Sequence, residues 1–212
     1  MSNIVLISSI LKRLLSSQQL YKTLQPALLS AINLYTSNGC QYHTLTHIIE
    51  TLLSLEKHKH LAHDLDALSI ALLFHDAIYI PKNNDNEMNS ALLASKELSS
   101  INVNKELIDC VCSLILATTH KKQPVDKDEA LIIDIDLLIF ASSQERFLKY
   151  ENQIRAEYSF FPKKDYLEKR IEILNQFLSK KYIYNTQEIR VNNEKTAREN
   201  IKKLIVKLKN EI

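Results

Sequence analysis

The sequence predicts an all-α protein. A single Gly and four Pro in 212 residues leave few turn and breaker residues. Leucine and isoleucine dominate the apolar positions and support helix, and apolar residues recur over long stretches at the three- and four-residue spacing of one helical face. A chain of this length fits one domain with a sizeable core.

The elements follow in order. Ile4, Ile7, Leu11, Leu14 and Leu15 mark a first amphipathic helix, and Leu24, Leu28, Ile32 and Tyr35 a second, closed by Ser37-Asn38-Gly39. A third helix is expected from about Tyr42 to Leu55 and a fourth from about Asp64 to Ala77. Pro81 and Lys82 to Asn86 form a polar loop, and Asn84 with Glu87 three residues on matches a capping box opening the next helix. Further helices are expected at about 104 to 119, 128 to 142 and 144 to 159, with Pro124 between the first two. Pro162 suits the first turn of a helix running through Leu178. Asn185 to Asn193 is polar. From Glu194 on, Ile201, Leu204, Ile205 and Leu208 form an apolar stripe opposite Lys202, Lys203, Lys207 and Lys209.

Charge excludes several function classes. With 27 basic and 25 acidic residues the net charge is +2, so no overall field points to nucleic acid or an anionic membrane. The terminal lysine face lacks interleaved aromatics, so it is expected to be solvated and no nucleic-acid partner is predicted. The run Ile4-Val5-Leu6-Ile7 has no preceding basic region and breaks at Ser8-Ser9, unlike a leader or a membrane span. Cys40, Cys110 and Cys112 form no CxxC pair, which fits reduced thiols in the cytoplasm.

Three segments carry histidines and carboxylates: Tyr42-His43-Thr44-Leu45-Thr46-His47, Phe74-His75-Asp76 and Asp134-Ile135-Asp136. Neutral imidazoles and carboxylates are the side chains that hold a divalent metal able to activate water. On a helix His43 and His47 would share a face. His75 and Asp76 differ by about 100° around a helix axis, so both reach one ion only if it sits off the edge between them. Asp134 and Asp136 differ by about 200°, so one is a ligand and the other a neighbour.

At these residues the chain resembles the HD superfamily of metal-dependent phosphohydrolases, and within it a family of small bacterial predicted HD phosphohydrolases. The resemblance covers about residues 42 to 200 and continues through Tyr79, Asn86-Glu87, Ser90-Ala91, Asp136-Leu137, Ile154-Arg155-Ala156-Glu157-Tyr158 and Ala197-Arg198-Glu199-Asn200. It implies a single HD-type helical domain over 1–212, with a metal-site core at about 42–140 and C-terminal helices at about 144–210 packed on it. It also implies that His47, His75, Asp76 and Asp136 bind one divalent metal, of which Mn, Fe, Co, Ni, Zn and Mg all suit the donor set. The segment Tyr42 to His47 is similar to the Tyr-His-x-x-x-His of cyclic nucleotide phosphodiesterases, which implies that His43 is a general acid.

Several residues have two uses open to them. His43 acts as proton donor, or else orients a ligand or is one. Asp134 is an acceptor for a ligating imidazole or a solvated residue. Glu87 activates water or recognises substrate, or else closes the capping box. Arg155 clamps a phosphate or bridges two helices, and Arg198 faces the same choice with the structural role ahead. His58, His60 and His63, among lysines at a helix end, are expected at the surface, and His120 in a loop.

The expected function is metal-dependent hydrolysis of a small phosphate ester, a nucleotide or another phosphorylated metabolite. A metal-containing ligand-sensing or scaffold protein without turnover is the alternative. A di-iron oxygenase stands lower, because only His120 lies between Asp76 and Asp134 to supply a further imidazole. Apolar helix faces leave a homodimer open.

Overall fold

The computed structural model describes residues 2–37 and 39–212. The fold is all-α: among the described residues there are ten α-helices, two 3-10 helices and no strand. They are α1 (Asn3–Leu14), α2 (Gln18–Ser37), α3 (Leu45–His58), α4 (Leu65–Phe74), α5 (Asn86–Ser100), α6 (Lys105–Ala117), α7 (Lys127–Asp136), α8 (Gln144–Glu157), α9 (Lys163–Ser179) and α10 (Gln187–Lys209). Short 3-10 turns, Lys59–Leu61 and Leu137–Ala141, follow α3 and α7. Two compact units divide the chain, Met1–Ile135 and Asp136–Ile212. Among the described residues no helix is long and apolar enough to cross a membrane.

The first unit is organised around α4. Every residue from Ala67 to Phe74 is buried, and α4 packs against α1, α2, α3, α5 and α6. A helix apolar on all sides belongs at such a centre. Its start is fixed twice: Asp64 Oδ1 accepts from the Ala67 amide at 2.8 Å, while the buried Asp128 accepts from the His63 and Asp64 amides at 2.8 and 2.7 Å. Asp128→Ala leaves those amides without their acceptor, and a loss of about 1–3 kcal/mol is expected in denaturant unfolding.

The helix boundaries differ from expectation where a side chain captures the backbone. The third helix starts at Leu45, because Thr44 caps it through the Thr46 amide, and His43 therefore precedes the helix. The fourth ends at Phe74, so His75 is its C-cap and Asp76 lies in the following turn. No capping box joins Asn84 and Glu87: Asp85 is the N-cap of α5 without a side-chain bond. Asn86 is turned back on the preceding loop instead, accepting from the Ile80 amide at 3.0 Å and donating to the Ile80 carbonyl at 3.1 Å. His58 is also corrected: it is 4% exposed, its Nδ1 bonded to the Ser54 carbonyl one turn back, while His60 and His63 are exposed. Gly39, at φ 70°, occupies the left-handed region that favours glycine.

In the second unit α10 packs on the Leu137–Ala141 turn and on α8 and α9. It begins at Gln187, so the polar stretch after Asn185 is mostly helix, and Pro162 is the N-cap of α9 rather than part of its first turn. Asn200 donates to the Phe140 and Ser142 carbonyls, both at 2.9 Å, and Tyr184 donates to the Leu137 carbonyl at 3.1 Å. Arg198 has the structural role: it binds Glu194 and the carbonyls of Leu178, Lys180 and Lys181.

Candidate metal centre

His75 is set by the end of α4. Its amide donates to the Ala71 carbonyl at 2.8 Å, and its Nδ1 lies 2.9 Å from the Leu72 carbonyl. A carbonyl can only accept, so Nδ1 carries the proton and Nε2 presents a lone pair in the neutral ring. His47, in the first turn of α3, brings its Nε2 to 3.1 Å from His75 Nε2. Asp76 Oδ2 stands 3.0 Å from His75 Nε2 and 3.6 Å from His47 Nε2. His47, His75 and Asp76 are 2%, 1% and 7% exposed, so water does little to screen these close polar contacts.

Imidazole nitrogens and a carboxylate converging in a buried space need a proton or a cation between them. Two donors each about 2.1 Å from one ion stand about 3.0 Å apart at a right angle and about 3.4 Å apart at the tetrahedral angle. The observed separations of 3.0, 3.1 and 3.6 Å are of that size. His47, His75 and Asp136 form a group whose ligand atoms all lie within 4.8 Å of one another, the one such group among the described residues. Asp136, half-buried at the end of α7, belongs to it and Asp134, fully buried, does not. The residues therefore fit a divalent ion: two imidazole nitrogens with nearby carboxylates suit several first-row metals.

Burial pushes the Asp76 carboxyl up, but His75, His43 and His47 beside it outweigh burial and hold it down at about 2. It is thus charged across the working pH range. Its backbone is anchored as well. The Asp76 amide donates to the Tyr35 hydroxyl at 3.3 Å, and that hydroxyl donates to the Leu73 carbonyl at 3.0 Å. Sequence reasoning missed Tyr35; its signal was a hydroxyl closing the apolar stripe of α2.

His43 stays close despite lying outside α3, with Nε2 3.9 Å from Asp76 Oδ2. Its ring stacks on Tyr79 at 3.6 Å between centroids and meets Tyr42 edge-on at 5.0 Å. The loop carrying Tyr79 is pinned by Asn86 at Ile80 and by Ser90, whose Oγ bonds both the amide and the carbonyl of Ile78. Asn86 and Ser90 thus hold the platform under His43. Glu87 is half-buried in the first turn of α5.

Arg155, in the second unit, donates to the Tyr158 and Phe161 carbonyls at 2.8 and 3.3 Å and lies over the Tyr166 ring. Its fork closes the turn after α8, a use neither the phosphate clamp nor the helix bridge anticipated. His120, at φ 56°, lies in the loop after α6 and outside the metal-ready group. No family model, curated protein or solved structure matches the chain.

Proposed function

We propose that the chain is a metal-dependent phosphohydrolase of the HD type, acting on a small phosphate ester such as a nucleotide or another phosphorylated metabolite. The observation that carries this is the convergence of His47 Nε2, His75 Nε2 and Asp76 Oδ2 within 3.0 to 3.6 Å in a buried space, with Asp136 grouped beside the two imidazoles. The HD likeness of the sequence supplies the reaction class.

His47, His75, Asp76 and Asp136 would hold one divalent ion, which supplies Lewis acidity and activates water at neutral pH. The chain's own residues do the rest. His75 keeps its ligating nitrogen unprotonated through the bond of Nδ1 to Leu72. Buried Asp76 brings the negative charge that favours a cation. His43 is the proton donor to the leaving oxygen: it is near Asp76 but stacked on Tyr79, so its ring is steered rather than enclosed. Glu87, half-buried in the first turn of α5, would orient water or substrate.

Elemental analysis of the purified protein, followed by a metal-supplemented panel of phosphomonoesters and phosphodiesters, tests the proposal. About one divalent ion per chain and metal-dependent hydrolysis are expected. Protein that takes up no metal from any of the candidate ions sinks it. His43→Ala is expected to lower kcat by about 100-fold or more while metal content stays at the wild-type level.

A further inference from the structure

Helix α5 sends two buried side chains back to the loop that follows Asp76. Asn86 and Ser90 are four residues apart and so share one face of α5, and they are 6% and 0% exposed. Each serves both backbone groups of a single loop residue. Asn86 accepts from the Ile80 amide at 3.0 Å and donates to the Ile80 carbonyl at 3.1 Å. The Ser90 hydroxyl accepts from the Ile78 amide at 3.1 Å and donates to the Ile78 carbonyl at 3.3 Å. The two side chains thus do for segment 78–80 what a neighbouring strand does for a β-strand, pairing the N–H and C=O of alternate residues. That satisfies the backbone of a segment that belongs to no helix or strand, and fixes its place against α5.

Tyr79 is the residue between the two anchored ones. Its ring lies face to face with His43, with centroids 3.6 Å apart and planes 19° from parallel, and Tyr42 meets the same imidazole edge-on at 5.0 Å. His43 precedes α3, so no helix face directs its ring. In the stacked orientation its Nε2 stands 3.9 Å from Asp76 Oδ2.

We propose that Tyr79 is a positioning residue for His43 and that Asn86 and Ser90 act through it. Helix α5 fixes segment 78–80, the segment fixes the tyrosine ring, and the ring fixes the plane in which His43 presents its Nε2 proton to the leaving oxygen. The inference rests on the reading of His43 as proton donor given above. A misplacement of about 1 Å can cost about 100-fold in rate, so residues that touch no substrate can still set it.

The leaving group separates this role from a general loss of structure. An alkoxide must be protonated as it leaves, whereas p-nitrophenolate departs as a stable anion without a proton donor. Full-length wild type, Tyr79→Leu and Tyr79→Phe, each loaded with metal, are compared on alkyl and p-nitrophenyl phosphate mono- and diesters. Tyr79→Leu is expected to lower kcat about 100-fold on the alkyl esters and far less on the p-nitrophenyl esters, with KM and metal content near the wild-type level. Tyr79→Phe, which keeps the ring face, is expected to recover most of that loss. Proton–carbon correlation spectra of the histidine rings give a readout independent of turnover. The His43 ring protons, assigned by their absence in His43→Ala, are expected upfield in wild type and Tyr79→Phe and shifted back in Tyr79→Leu. If Tyr79→Leu does not fold, Ser90→Ala, which removes both bonds to Ile78, takes its place with the same expected direction. Equal losses on both kinds of ester, or His43 signals unmoved in the folded variant, overturn the positioning role alone. Wild type that hydrolyses none of the esters overturns the proton-donor reading and this inference with it.

Discussion

Asp76→Ala is expected to abolish metal retention and, with it, any metal-dependent hydrolysis, while leaving a folded helical protein. The carboxylate is the anion placed within 3.0 Å of His75 Nε2 and 3.6 Å of His47 Nε2. Without it the two imidazoles lose the carboxylate that stands closest to them. The loss should exceed the roughly 100-fold typical of an outer partner, because Asp76 contributes both a donor and a charge. Elemental analysis of wild type and variant side by side measures it, and full metal content in Asp76→Ala would sink the assignment.

The same residue sets the sign of the pH dependence. Its folded pKa of about 2 lies below the ordinary value of 3.8, so its contribution to stability is fully present above that ordinary value and is lost as pH falls through about 2. Asp76 thus remains charged while protons compete with metal for imidazole nitrogen. Metal is expected to leave the protein on mild acidification, well before Asp76 is neutralised. Metal content after dialysis at falling pH checks this, and retention down to the carboxylate range would contradict it.

Much of the candidate centre was legible because its residues are close in sequence and chemically distinctive. His75-Asp76 and the His43-to-His47 spacing need no long-range information to be noticed. Their backbone setting was less so. A helix through His43 follows from periodicity alone, but the Thr44 side chain ends it by taking the Thr46 amide. The capping box at Asn84 and Glu87 satisfied a local pattern, while the competing bonds of Asn86 run to a loop residue six positions back. Tyr35 was out of reach for a different reason: its partners lie 38 and 41 residues away, and helical spacing explains it fully as a core residue. The same holds for Glu151 and Arg170, 19 residues apart on different helices, which pattern alone would place on solvated faces.

That last pair carries the largest expected effect on stability. Glu151→Ala would leave the Arg170 guanidinium, which stays charged, in its buried place without the carboxylate it bonds at 2.9 Å. It would also take the acceptor from the Tyr166 hydroxyl. Breaking one side of a buried pair is expected to destabilise by about 3–5 kcal/mol, which for a chain of this size is on the order of 10 °C in Tm. Lys105 and Asp109 also form an ion pair, at 2.7 Å, but their side chains are 81% and 62% exposed, so Asp109→Ala is expected to leave Tm unchanged. Distance alone would rank the two pairs the other way. The double variant Glu151→Leu with Arg170→Met should recover most of the loss, because it removes the stranded charge and replaces the pair with apolar side chains of similar size. Thermal melts of the single and double variants measure this, and a double variant no more stable than Glu151→Ala would contradict it.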